Sequence, residues 1–184
     1  MFDFTPYAVV DTETNGLDRT ACIPWEIAIW RWSPTLDEWS SWLIQISDYD
    51  PAWMTPEAAE VNGFHQRWGK ENFPTLNFSQ VAASRMISNI LRGAVLIGSN
   101  PGFDADMLTN LGCAPTWSHR MRDVPTLVMG LEGADYGGLQ NTAVRLGWDL
   151  DDPKYAPHTA MGDATLTKDI FAAVMETDRG YRAA

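Results

Sequence analysis

Val9-Val10-Asp11-Thr12-Glu13-Thr14-Asn15-Gly16-Leu17 decides how this chain is read, because it closes an apolar run with two carboxylates two positions apart. Alternate side chains of a strand share a face, so Asp11 and Glu13 point the same way. Like charges held that close cost free energy unless something neutralises them, and a divalent cation with hard oxygen ligands is the usual solution. The stretch asks for a metal. Asn15-Gly16 then turns the chain sharply and offers backbone amides to a ligand.

Spacing alone does not establish this. Acidic residues fill 24 of 184 positions, and roughly three pairs two apart are expected by chance at such a composition. Five occur: Asp11/Glu13, Asp48/Asp50, Asp104/Asp106, Asp149/Asp151 and Glu176/Asp178. Only the first lies between a strand-like run, Tyr7 to Val10, and a turn dipeptide.

Outward from that pair, segments 6–12, 25–32 and 39–46 are rich in Val, Ile and Trp. Ser33 to Glu38 carries turn chemistry, so three strands in antiparallel succession are predicted. Thr55 starts a short helix over Pro56 to Val61 that Asn62-Gly63 ends. A helical stripe over Val81 to Leu91 leads to a short buried strand, Ala94 to Ile97, and then to a helix from Gly102 to Leu111. A strand at Arg120 to Asp123 and helices over Thr126–Leu131, Leu139–Leu146 and Met161–Met175 follow. The pattern predicts an α/β fold with a mixed central sheet flanked by helices. Residues 1–176 read as a single domain and Thr177 to Ala184 as a short disordered tail.

A chain of 184 residues buries roughly 70% of its unfolded surface, enough for a core without disulfides. Cys22 and Cys113 are too isolated for a metal finger and read as reduced thiols. Met1 to Phe4 lacks the start of a secretory signal, and no run reaches the roughly 20 apolar residues that span a bilayer. The expectation is a cytoplasmic protein with no membrane partner. A net charge of −11 argues against non-specific wrapping of a polyanion, which lysine and arginine contacts drive. A nucleic-acid partner would be gripped at a short end, through metal ions.

Two further stretches carry chemistry. Gly98-Ser99-Asn100-Pro101-Gly102-Phe103-Asp104 places an aspartate at a helix start just after a buried strand, where ligands of α/β folds gather. Taken alone, Asp104 reads as a helix cap. His158-Thr159-Ala160-Met161-Gly162-Asp163 sets a loop histidine five positions before an aspartate in the first turn of the last helix. Taken alone, that is a surface histidine and another cap.

Together the three stretches resemble the signatures of the DEDDh, or DnaQ-like, family of 3′-to-5′ exonucleases. Asp-x-Glu-Thr-Thr-Gly matches Asp11 to Gly16 with Asn15 in place of the second threonine, Asn-x-x-Phe-Asp matches Asn100 to Asp104, and His-x4-Asp matches His158 to Asp163. Weaker likenesses bridge them: Glu26-Ile27-Ala28, Pro56-Glu57 with Asn62-Gly63-Phe64, Asp123 and Leu139. The resemblance covers about residues 7–175. Ser99 stands where many relatives have histidine and Met107 where an aromatic is common, which leaves the subfamily open. Thr159 occupies the position that the tyrosine subclass would fill.

The resemblance implies a ribonuclease H-like fold and a two-metal phosphodiester hydrolase. Asp11, Glu13, Asp104 and Asp163 would hold two Mg²⁺ or Mn²⁺ roughly 4 Å apart, as hard oxygen ligands suit such ions. By similarity, Asp11 bridges both ions, Glu13 and Asp163 complete one site, Asp104 supports the other, and His158 is the general base. Thr14, Asn15, Gly16 and Leu17 would cradle the terminal nucleotide, with Asn100 nearby, and Leu17 and Phe64 are candidate apolar contacts to bases. Phe64 reads equally as a core anchor after the Asn62-Gly63 turn. The substrates implied are 3′ ends of single-stranded DNA or RNA, or frayed ends, with proofreading and RNA trimming both open.

Six of nine tryptophans, at 25, 30, 32, 39, 42 and 53, crowd the predicted hairpin and its exit. They read as core, or as a surface for a homodimer or polymerase partner. Two rivals follow: an inert exonuclease-like module that binds a protein through this hairpin, and an unrelated acidic domain whose aspartates only cap helices.

Overall fold

The structure, a computed structural model, describes residues 5–70 and 75–182. Three strands, β1 (Tyr7–Thr14), β2 (Pro24–Ser33) and β3 (Glu38–Ile46), form the antiparallel succession expected from their β-branched and aromatic content. Helices α1 (Pro56–Asn62) and α2 (Phe64–Arg67) follow, then β4 (Leu76–Phe78), α3 (Gln80–Ile90), β5 (Val95–Gly98), α4 (Pro101–Asn110) and β6 (Met121–Asp123). The chain closes with α5 (Val124–Glu132), α6 (Leu139–Arg145) and α7 (Ala160–Arg182). The sheet order is β4-β3-β2-β1-β5-β6, with β5 parallel to β1, β6 parallel to β5 and β4 parallel to β3. A mixed sheet flanked by helices is what the sequence pattern led us to expect.

Strand alternation divides the core in two. Ala8, Val10, Ile27 and Ile29 pack on one face with Ile87, Leu91 and Leu108, while Val9 and Ala28 face Val124, Leu166, Ile170 and Phe171 on the other. Asp11 and Glu13 continue the Val9 register and therefore face α7. Thr12 continues the Val10 register and meets α4, where its hydroxyl donates to Asp104 Oδ1 at 2.8 Å. Because β1 and β5 run parallel, their carboxyl ends share one edge of the sheet, which brings the Asp11–Leu17 and Asn100–Asp104 stretches together.

The tryptophans divide along the same lines. Trp25 and Trp32 are buried, Trp42 packs on the first core, and Trp30 and Trp39 pack on the second, leaving Trp53 50% exposed. The hairpin's indoles build both cores.

Two elements have no precedent in the sequence pattern, β4 and α2. The final helix runs on to Arg182, so the backbone of the segment expected to be a tail is helical to that point. Residues 183 and 184, and Met1 to Phe4, where a signal was sought, lie outside the described residues. Among the described residues no helix is long and apolar enough to cross a membrane.

Candidate active site

β1 delivers two acids to the edge of the sheet and α7 delivers a third. Asp11, Glu13 and Asp163 each offer a carboxylate oxygen within 4.8 Å of the others. Thr159 sets the start of α7, its hydroxyl accepting the Gly162 amide at 3.1 Å and donating to the Ala156 carbonyl at 2.8 Å. A Cβ on Gly162 would collide with that carbonyl and with Thr159 Oγ1, so only glycine lets the loop press onto the helix and place Asp163 in its first turn.

Asp104, 4% exposed, stands beside Asp11 from α4. The turn before it is fixed from β6: Asp123 Oδ1 accepts the Asn100 amide at 2.8 Å, and Oδ2 accepts the Thr126 amide at 3.1 Å to cap α5. Asn100 itself adopts φ 61°, a left-handed conformation that asparagine tolerates better than most residues.

The electrostatics follow from this crowding. Burial, and then the charges of Asp104, Asp163 and Glu13, raise the Asp11 carboxyl well above the usual range. Burial and Asp163 push Glu13 up to about 8, with Arg67 opposing. Burial raises Asp104 against the Thr12 hydroxyl, and raises Asp163 against the His158 amide and Gln140. Four acids that resist ionisation together form a site that a hard cation would relieve. An all-carboxylate donor set on two strand positions and two helix starts suits Mg²⁺ or Mn²⁺, so these residues fit the metals that the sequence implied.

His158 is exposed and lines the same cavity, of about 620 Å³, as Asp11, Glu13 and Asp163. Its amide donates to Asp163 Oδ2 at 3.1 Å, while Gln140 Nε2 donates to Asp163 Oδ1 at 2.8 Å. One helix-borne acid is thus bonded to the loop that carries the histidine. Thr14, Gly16 and Leu17 also line the cavity, Leu17 with 85% of its surface exposed.

Three expected contacts fall elsewhere. Phe64 is corrected to a core residue: it is 2% exposed, edge-on to Trp25 at 5.2 Å and stacked on Trp68 at 5.3 Å. Asn15 holds its loop instead of lining the cavity, donating to the Trp53 carbonyl at 3.1 Å and accepting the Ile23 amide at 2.9 Å. Asn100 does not line the cavity either. Phe64→Ala should lower stability by about 3 to 5 kcal/mol, as truncation of a buried phenylalanine does. A chemical denaturation curve measures the loss, and oligonucleotide KM, measured well below the melting point, should stay unchanged.

The remaining wall is Thr55, Glu57, Ala58 and Val61 of the α1 region, with Asn62 and Phe103. Phe103 lay inside the Asn100–Asp104 stretch. The α1 region showed in the sequence only as a helix start and a weak family likeness at Pro56-Glu57 and Asn62-Gly63, with nothing to mark Thr55, Ala58 or Val61 as a cavity wall.

The mixed six-stranded sheet, ordered β4-β3-β2-β1-β5-β6 and flanked by helices, is ribonuclease H-like, and the four carboxylates and the histidine gather at one edge of it. Structures of exonuclease I are among its structural neighbours. The chain superposes on apo exonuclease I with a TM-score of 0.65 and 18% identity over 95% of this chain and 42% of that one. It is similar to E. coli exonuclease I in complex with a dT13 oligonucleotide, at TM-score 0.64 and 19% identity over 97% of this chain and 42% of that one. It is also similar to the zinc-bound form of the E. coli enzyme with single-stranded DNA, at 0.66 and 18% over 98% and 42%. The chain spans about two-fifths of the length of these neighbours. No family model matches it, and no curated protein sequence does.

Proposed function

We propose that the chain is a metal-dependent 3′-to-5′ exonuclease of the DEDDh type that removes nucleoside 5′-monophosphates from single-stranded ends. The convergence of Asp11, Glu13 and Asp163 within 4.8 Å carries this reading. Asp104 beside them and His158 on the cavity wall complete the set of five that the sequence singled out. Bound there, two Mg²⁺ or Mn²⁺ would neutralise charge on the attacking and leaving oxygens and lower the pKa of a water.

The chain's own groups divide the remaining work. In this reading His158 takes the proton of the attacking water, which its exposed position on the cavity wall and its backbone bond to Asp163 support. The exposed Leu17 and Val61 offer apolar surface to the terminal base, and the Thr14–Leu17 backbone offers amides to its phosphate and sugar. Neighbours solved with dT13 and dA16 oligonucleotides support single-stranded DNA as the first substrate to try. The rival reading, a protein-binding module, loses support because Trp25 and Trp32 are buried and Trp30, Trp39 and Trp42 are half-buried against the cores.

Digestion of 5′-labelled DNA and RNA oligonucleotides tests the proposal. The expected result is stepwise shortening from the 3′ end, dependent on Mg²⁺ or Mn²⁺ and abolished by chelator; no hydrolysis of either polymer with either metal sinks it. The cavity wall contains no lysine or arginine, so few counterions are released on binding. KM should therefore rise only about threefold between about 50 and about 200 mM salt, the response of roughly one phosphate contact.

A further inference from the structure

Glu13, Glu26 and Gln45 form a row across β1, β2 and β3, since Glu13 pairs with Glu26 and Glu26 with Gln45 in the strand register. Opposed residues share a face, so two carboxylates lie side by side where Glu26 is wholly buried. A cation from α2 answers them. Arg67, 8% exposed, donates through Nη2 to Glu26 Oε2, and its guanidinium lies over the Trp25 ring, 5.1 Å from the centroid. Its charge also lowers the Glu13 carboxyl against the other influences there.

The same guanidinium reaches the histidine loop. Arg67 Nη1 donates to the Asn62 carbonyl at 2.7 Å and to the His158 carbonyl at 3.0 Å. Glu26 Oε2 accepts the Ala160 amide at 3.3 Å, and Glu26 Oε1 accepts Gln45 Nε2 at 3.1 Å. Both peptide groups flanking Thr159 are thus tied to one buried ion pair. That restraint matters because His158 adopts φ 55°, a left-handed conformation that persists only where its surroundings over-determine it. Asp163 holds the amide of His158 and Arg67 holds its carbonyl.

We propose that Arg67, oriented by Glu26, is the positioning residue of the His158 loop, fixing the imidazole against the metal-binding acids. The proposal rests on the reading of His158 as general base. Arg67 is not among the residues that line the cavity. It acts by holding a backbone: the rigid planar fork sets Nη1 on the two carbonyls while Nη2 holds Glu26, whereas a lysine presents all its donors from one nitrogen on a flexible stem.

The test compares wild type, Arg67→Lys and the doubly neutral Glu26→Gln/Arg67→Met, each with His158 intact and with His158→Asn. With the histidine present, kcat should fall about 10- to 100-fold, the usual cost of removing a group that orients a catalytic residue, while KM and the Mn²⁺ midpoint hold within about twofold. With His158→Asn, the same changes should cost nothing further, because there is no base left to misplace. Hydrogen exchange of the metal-free proteins supplies a second readout: the amides of residues 158–160 should exchange about tenfold faster in Arg67→Lys, as a freed loop does. Unchanged kcat and exchange would overturn the proposal, and so would equal losses in both backgrounds, which is what a purely structural ion pair gives. Should Arg67→Lys fail to fold, the doubly neutral variant carries the comparison, since it leaves no buried charge unpaired. If wild type hydrolyses nothing, the exonuclease reading fails while the exchange experiment still decides whether Arg67 restrains the loop.

Discussion

Asp11→Asn should abolish hydrolysis, lowering kcat by about 10⁴-fold or more, and should at the same time make the metal-free protein harder to unfold near pH 8. The first effect follows from losing the carboxylate that faces all three other acids, where metal charge stabilisation amounts to several kcal/mol. The second follows from the raised carboxyl pKa values. Glu13 moves from 4.5 to about 8, and Asp11 moves in the same direction. At a pH between those limits the folded protein holds protons that the unfolded chain has released, so stability without metal falls as pH climbs from about 4.5 to about 8. Asparagine removes one of the repelling charges and the share of that slope that is Asp11's own, while the share of Glu13, raised chiefly by burial and Asp163, remains. The expected sign is a higher Tm in chelator near pH 8, each 1 kcal/mol of relief being worth about 2 to 4 °C in a chain of this size.

Melts in chelator near pH 5 and near pH 8 read the effect directly. Wild type should melt lower at the higher pH and recover with Mn²⁺, because a ligand specific to the folded form stabilises it. Asp11→Asn should show a smaller drop between the two pH values and no recovery with Mn²⁺. The opposed signs separate a metal centre from a chain whose aspartates only cap helices: a capping aspartate loses stability when replaced and gains nothing from metal. A variant that still hydrolyses oligonucleotides, or that melts lower than wild type in chelator at pH 8, removes Asp11 from the centre of the site.

The acids stood out in the sequence only through the three signatures they complete together, each local signal being ambiguous alone. Asp11 and Glu13 share a strand face by alternation, whereas Asp104 and Asp163 stand at helix starts where a capping aspartate looks the same. The three long strands were legible through runs of β-branched and aromatic residues. β4 was not: three residues of which Leu76 and Asn77 are exposed have no pattern until β3 pairs with them. Nor was α2, whose four residues are too few for periodicity and whose start is set by the left-handed Gly63. Phe64 shows where residue identity stops informing, since a phenylalanine that stacks on a base and one that anchors a core look alike before packing is known. Glu26 was noticed only as part of a strand motif, and Arg67 and Gln140 went unnoticed. Their importance lies in partners 41 and 23 positions away, which only the assembled sheet and helix brought within reach.

His158 offers the cleanest separation of proton transfer from metal binding, since its backbone and side chain do different things. The amide, bonded to Asp163 Oδ2, is present whatever residue stands at 158. The imidazole is exposed and lies outside the group of three carboxylates that approach within 4.8 Å. Alanine removes the base but strains the φ 55° backbone, whereas asparagine accepts a left-handed conformation and still cannot act as a base near neutral pH. His158→Asn should therefore lower kcat by about 10²- to 10⁴-fold, the range for a positioned general base, with KM and the Mn²⁺-induced rise in Tm preserved. Imidazole added to the assay should restore part of the lost rate in His158→Asn and none in Asp11→Asn, because only the first lacks nothing but a proton acceptor. Full turnover by His158→Asn with ordinary metal dependence would leave the water to be activated by some other group, and the histidine loop would then need a different explanation for its restraint from both sides.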